Sequence, residues 1–144
     1  MEIAGKVAVI TGAASGIGRA VSIQLAQRNI RALGLVDRGE NIGAVAEEVN
    51  RQAGRTVAYP YKGDATDSEF RASVYDSMGK IDTVRMCVPA AGITRDELAV
   101  RIDKTTGKAR IYAEELFKQV IDVNLVAPVY WALEMIGRIA EQRA

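Results

Sequence analysis

Apolar residues along this chain alternate between two periods. Lys6-Val-Ala-Val-Ile10 is a short β-branched run stopped by Thr11-Gly12, which predicts a buried strand. From Gly16 to Asn29, Ile17, Val21 and Leu25 recur every fourth residue with Ala20 and Ile23 beside them, which predicts a helix with one apolar stripe. Ala32 to Val36 reads as a second strand. Asn41 to Ala53 (Ile42, Val45, Ala46, Val49) reads as a second helix that Gly54 is placed to end. Arg55 to Lys62 alternates as a third strand, and Pro60, which lacks an N–H, puts it at the outer edge of a sheet. Thr66-Asp-Ser-Glu69 has the form of a capping box ahead of Phe70, Val74 and Met78, with Gly79 closing the helix. Ile81 to Val88 is a fourth strand. Leu98 to Asp103 and Ala109 to Tyr112 flank the turn-like Lys104-Thr-Thr-Gly107-Lys108 as a small surface hairpin, and about Ala113 to Arg143 forms a long helix despite Pro128.

Strands alternating with helices at these lengths imply βαβ crossovers and a parallel sheet covered on both faces, a doubly wound α/β architecture. No repeat, linker or low-complexity stretch divides residues 1–144, so a single domain is expected. The fourth strand would then leave an apolar edge with unpaired backbone groups.

Composition narrows the chemistry. With 49% hydrophobic and 26% charged residues the profile is globular, and 19 Lys+Arg against 18 Asp+Glu leave +1, which gives no footprint for nucleic acid or anionic lipid. The absence of histidine removes His-based acid/base catalysis, Ser-His-Asp triads and His-ligated metals, and no metal site is expected. The single Cys87 lies in the apolar run Val84 to Val88 and reads as a buried structural thiol. No apolar stretch approaches the ~20 residues of a membrane span, so a cytoplasmic protein without a membrane partner is expected.

The candidate chemistry sits between the first strand and the first helix, in Thr11-Gly12-Ala13-Ala14-Ser15-Gly16-Ile17-Gly18. Glycines there permit a tight turn and close approach of a pyrophosphate, and free N–H groups at the helix start attract its charge. Nineteen residues past Gly18, at the end of the second strand, Asp37 stands where a carboxylate would accept hydrogen bonds from ribose hydroxyls. The same carboxylate opposes a 2′-phosphate, since like charges ~4 Å apart cost about 4 kcal/mol at an effective dielectric of ~20. NAD is favoured over NADP, with Arg38 as the group that could pair with a phosphate and so keep NADP possible.

Thr11 to Gly18 matches the T-G-x-x-x-G-x-G loop of the short-chain dehydrogenase/reductase family, which this sequence closely resembles. The resemblance implies a Rossmann-type fold in which Ser15 and Ile17 line the pyrophosphate, Asp37 binds the ribose, and Asp64 with Ala65 meets the adenine. The family's Asn-Asn-Ala-Gly segment corresponds to Pro89-Ala90-Ala91-Gly92, which keeps Ala-Gly, loses both asparagines and leaves Ala90 and Gly92 as cofactor contacts. Asn124 matches the family's helical active-site asparagine, whose backbone distortion holds a water for proton relay. The segment Gly92-Ile-Thr-Arg-Asp96 through Gly107-Lys108 resembles the branch of 3-oxoacyl-carrier-protein reductases.

In that family a serine and a Tyr-x-x-x-Lys follow the asparagine, with the tyrosine as acid/base and the lysine lowering its pKa. The last serine here is Ser77, the last lysine is Lys118, and no Tyr-x-x-x-Lys occurs. The resemblance therefore implies an oxidoreductase acting on a small carbonyl or alcohol, represented by its N-terminal, cofactor-binding part, and inactive until a missing C-terminal segment is supplied. The alternative is a non-catalytic dinucleotide-binding module completed by another polypeptide. The apolar residues of the last helix, among them Phe117, Val129 and Trp131, leave room for a homo-oligomeric interface.

Overall fold

Strand β1 (Val7–Thr11) is buried along its whole length, so both faces of its apolar run find partners. In the computed structural model, which describes residues 2–144, it pairs in parallel with β2 (Ala32–Asp37) on one side and β4 (Val84–Pro89) on the other. β3 (Ala58–Lys62) pairs with β2, giving the order β3-β2-β1-β4. Pro60 thus lies on an edge strand, as its missing N–H requires. β4 forms the opposite edge, paired only to β1, with Met86, Cys87 and Val88 half-buried.

Alternation along the strands sorts the core into two layers. Ala8, Ile10, Leu33 and Leu35 face α1 (Gly16–Gln27) and α2 (Ile42–Ala53), where Leu25, Val45 and Val49 cover them. Val7, Val9, Ala32 and Val36 face α3 (Ser68–Gly79) and the C-terminal helix, meeting Val74, Tyr75, Met78 and Trp131. Each valine, leucine, isoleucine or methionine among them, taken wholly out of water, stabilises the fold by about 1.5–3 kcal/mol.

The C-terminal helix runs as α4 (Glu114–Ile121), a π-helical turn (Asp122–Val126) and α5 (Ala127–Glu141). Pro128 follows directly on the π-helical turn, where the ladder of helix hydrogen bonds is already displaced, so its missing N–H interrupts least there. Contrary to the expectation from sequence, Glu114–Glu141 forms a 28-residue helix long and apolar enough to cross a membrane. An uninterrupted apolar run was the wrong measure: Lys118, Asp122 and Glu134 break the run without breaking the helix. Ala127 and Trp131 of this helix are buried against the sheet. The expected hairpin is present as β5 (Val100–Ile102) and β6 (Ala109–Ile111), an exposed antiparallel ribbon.

The third strand begins at Ala58 rather than Arg55, and at two further boundaries the local reason is visible. The fourth strand begins at Val84 rather than Ile81, because the N–H groups of Ile81 and Asp82 both turn back to the Met78 carbonyl at the end of α3. The cap of α3 is Asp67 rather than Thr66: its Oδ1 accepts from the N–H groups of Glu69 at 2.8 Å and Phe70 at 3.1 Å. A carboxylate is a better partner than a hydroxyl for the positive end of a helix, and Thr66 is left free for another task.

Candidate functional site

The strand order reverses between β1 and β4, which opens a crevice beyond their C-terminal ends. A cleft of about 480 Å³ lies there, reached by the loops that follow all four strands. From the first loop come Gly12, Ser15, Gly16 and Ile17; from β2, Asp37 and Arg38; from β3, Gly63, Asp64 and Ala65; from β4, Ala90 and Gly92. Nine of the twelve residues singled out in the sequence therefore line one cavity, and Thr11, Gly18 and Asn124 do not.

Close packing explains the glycines. Gly12 has φ +67°, and a Cβ there would stand 2.6 Å from the Ala91 nitrogen and 2.7 Å from the Ala90 oxygen. At Gly18 a Cβ would stand 2.2 Å from the Gly12 oxygen, so α1 can approach the loop only without a side chain at that position. The approach brings the first N–H groups of α1, which have no partner inside the helix, to the cleft. No acidic residue in the first turn of α1 offsets the positive end of its dipole. Ser15 occupies the N-cap position, yet its hydroxyl caps nothing and is exposed.

Asp37 is built into the opposite wall. Its Oδ2 accepts from the Ala14 N–H at 3.0 Å and its Oδ1 from the Gly39 N–H at 2.8 Å. The carboxylate joins the glycine loop to the end of β2 and keeps further lone pairs for a diol. Asp64 is held from one side: its Oδ1 accepts from the Thr66 N–H at 2.8 Å and the Thr66 hydroxyl at 2.7 Å. These two bonds, backbone before hydroxyl, and then the nearby Arg38 guanidinium keep its carboxyl below the ordinary carboxylate range, so it is ionised at neutral pH. Its Oδ2 remains free to accept from a ligand.

The residues outside the cleft support it. Thr11 is buried and its Oγ1 accepts from the Ala91 N–H at 3.2 Å, a link from β1 to the loop after β4. Asn124 sits in the middle of the π-helical turn, so the backbone distortion expected around it is present. Its side chain pairs twice with one residue across 31 positions, donating to the Ile93 oxygen and accepting from the Ile93 nitrogen, both at 2.8 Å. The asparagine faces an adjoining recess bounded by Thr94, Tyr112 and Phe117. Asn124→Ala is expected to lower stability by about 1 kcal/mol and to speed amide exchange at Ile93, read by urea denaturation and hydrogen exchange. Unchanged exchange at Ile93 would show that the pairing does not hold the loop.

Val36, Gly63, Ala91, Ile93 and Val123 line the cleft as neighbours of residues the sequence had marked, and Arg38, which the sequence had set beside Asp37, joins them. Cys87 is half-buried and burial raises its pKa, which agrees with an inert structural thiol. A second recess, of about 470 Å³, opens between α3 and α5 at the other end of the sheet. There Arg138 is already paired with Asp76 at 2.6 Å and Glu134 at 2.9 Å, and no helix N-terminus points into it.

Residues 6–144 match the profile of the short chain dehydrogenase family. A 3-oxoacyl-(acyl-carrier-protein) reductase of Thermotoga maritima is 36% identical over 129 residues, 87% of this chain and 46% of that protein. The crystal structure of a 3-oxoacyl-(acyl-carrier protein) reductase from Brucella melitensis superposes with a TM-score of 0.77 at 25% identity, covering 99% of this chain and 50% of that one. Another such reductase from Brucella melitensis, solved with bound NAD, gives a TM-score of 0.74 at 25% identity over 95% of this chain and 49% of that one. The chain thus spans about half the length of the relatives it matches.

Proposed function

Because the chain belongs to the short-chain dehydrogenase/reductase family, we propose that it supplies the dinucleotide-binding half of an oxidoreductase that moves hydride between a nicotinamide cofactor and a carbonyl or secondary alcohol. The observation that carries this reading is the pairing of an uncompensated helix N-terminus with an anchored carboxylate, Asp37, across one cleft. A dinucleotide offers the complement: a pyrophosphate for the helix and a ribose diol for the carboxylate.

The residues fit the group. Gly12 and Gly18 leave the space a Cβ would fill, the N–H groups of Gly16 and Ile17 with the Ser15 hydroxyl receive phosphate oxygens, and Asp37 receives the ribose. Asp64 and Ala65 take the adenine, Ala90 and Gly92 border the other end, and Asn124 holds the Ile93 backbone beside it. NAD is the preferred cofactor, since a 2′-phosphate would meet the Asp37 carboxylate; Arg38 on the rim is the feature that admits NADP. When bound, the nicotinamide supplies the hydride chemistry.

In this reading the proton donor is placed outside these 144 residues. Tyr75 is buried, which raises its pKa, and its hydroxyl donates to the Trp131 carbonyl at 2.7 Å. The Tyr112 hydroxyl donates to the Arg95 carbonyl, and the Tyr61 hydroxyl is paired with Ser77. No lysine stands four residues after any tyrosine to lower a phenol's pKa. A completing segment or a second copy has surfaces to use: the free edge of β4 and the exposed Phe117, Val129, Leu133 and Ile136 of the C-terminal helix. A cytosolic enzyme reducing an acyl-chain ketone, the kind of substrate named for the Thermotoga relative, completes this reading.

The second reading, a binding module with no chemistry of its own, is favoured by the same missing tyrosine and lysine. One experiment addresses both. NADH fluorescence should rise on titration with the purified chain, and the bound NADH should survive addition of a 3-oxoacyl thioester. Absence of any rise would contradict the cofactor reading, and oxidation of NADH would contradict the assignment of the proton donor to another segment.

A further inference from the structure

Trp131 is the only tryptophan in the chain, fully buried in the layer between the sheet and the C-terminal helix. It does not line the cleft. Yet its indole N–H, the one polar group of the side chain, donates to the Ala65 carbonyl at 2.8 Å across 66 residues. Its other end is fixed as well, for its own carbonyl accepts from the Tyr75 hydroxyl at 2.7 Å, with the two rings 5.6 Å apart. The indole is a rigid strut between α5 and the loop after β3.

That loop carries Asp64 and Ala65 into the cleft. Thr66 turns Asp64 by binding its Oδ1, but both residues belong to the same short loop and cannot place it relative to the rest of the cleft. The Gly63 N–H, donating to the Asp37 carbonyl at 3.0 Å, ties the start of the loop to β2, and Trp131 supplies the contact from outside on the far side of Asp64. Without it, an Ala65 carbonyl that is half-buried would seek water, and the loop would move with it.

We infer that Trp131 is a positioning residue for adenine recognition, holding the Ala65 backbone so that Asp64 presents its free oxygen to the exocyclic amine of the base. This rests on the cofactor reading above. The chemistry makes it specific: an amine donates to a carboxylate, whereas the carbonyl of hypoxanthine in the same place is a second acceptor and is repelled. The chain should therefore bind NAD more tightly than nicotinamide hypoxanthine dinucleotide, and the ratio of the two affinities measures how well Asp64 is placed.

The test is that ratio in the wild-type chain and in Trp131→Phe, which keeps a ring but removes the donor, with circular dichroism to show that the variant is folded. NAD binding should weaken about fivefold, the size of one ordinary hydrogen bond, while binding of the hypoxanthine analogue changes little, so that the ratio shrinks. A role confined to core packing would weaken both alike, and an unchanged ratio would overturn the inference. Equal affinity of the wild-type chain for the two dinucleotides would also overturn it. No binding of either would instead remove the cofactor reading on which it stands. Should Trp131→Phe fail to fold, the indole N–H of the wild-type chain decides: if its bond to Ala65 supports adenine binding, its hydrogen exchange should slow about fivefold when AMP saturates the chain, and unchanged exchange in an AMP-bound chain would overturn the inference.

Discussion

Gly18→Ala is expected to destabilise the chain by roughly 3 kcal/mol and to abolish measurable NAD binding. The new Cβ would stand 2.2 Å from the Gly12 oxygen and 2.7 Å from its carbonyl carbon. Neither atom belongs to a flexible side chain, and Gly12 cannot yield, since it is held at φ +67° against the backbone of Ala90 and Ala91. Helix α1 would have to retreat, and its N–H groups would leave the position from which they can bind a pyrophosphate. The control is Gly137→Ala in the interior of α5, where a Cβ meets nothing within 4 Å. That change should stabilise by about 0.5–1 kcal/mol through helix propensity alone. Urea denaturation separates the two, and equal, small effects would show that the glycine loop is not packed as described.

The second large effect belongs to Asp37. Its two oxygens each accept a backbone N–H, from Ala14 and from Gly39. Asparagine has one acceptor oxygen, so in Asp37→Asn one of those N–H groups would face an NH₂. The expected result is a loss of about 1–3 kcal/mol in stability and a fall in NAD affinity of about 100-fold, because the fixed acceptors for the ribose diol go with the charge. Asp37→Ser carries the opposite expectation for NADP. With the repelling carboxylate removed and Arg38 still on the rim, NADP should bind more tightly than it does to the wild-type chain. Calorimetric titration of both cofactors into the three proteins reads the exchange. A wild-type chain that prefers NADP, or a Ser variant with unchanged preference, would contradict the role given to Asp37.

Where local chemistry decides, the sequence was legible. Pro60 placed β3 at an edge because a missing N–H cannot be hidden in a central strand, and Gly54 ends α2 at φ +67° as a left-handed residue should. The loop from Thr11 to Gly18 and Asp37 come together because successive strands of a parallel sheet deliver their C-terminal ends to one side. Competition between neighbours was harder to read. Thr66 and Asp67 could each cap α3, and only the outcome shows that the carboxylate took the helix and released Thr66 to hold Asp64.

Contacts between distant segments were not legible at all. The double pairing of Asn124 with Ile93 spans 31 residues and the indole bond from Trp131 to Ala65 spans 66, and no spacing rule predicts either. In the sequence Trp131 was one more apolar residue of a helix. Its donor matters only because folding brings α5 across the loop after β3.

On this reading one cleft, at the strand ends where β1 and β4 part, binds the dinucleotide. Amide hydrogen exchange with and without saturating NAD tests it most directly. Added protection is expected in residues 12–18, 37–39, 63–66 and 90–93, with the β5–β6 ribbon and the recess between α3 and α5 unchanged. Protection centred on the recess beside Asp76 and Arg138, or none anywhere at a concentration where NAD is shown to bind, would contradict it.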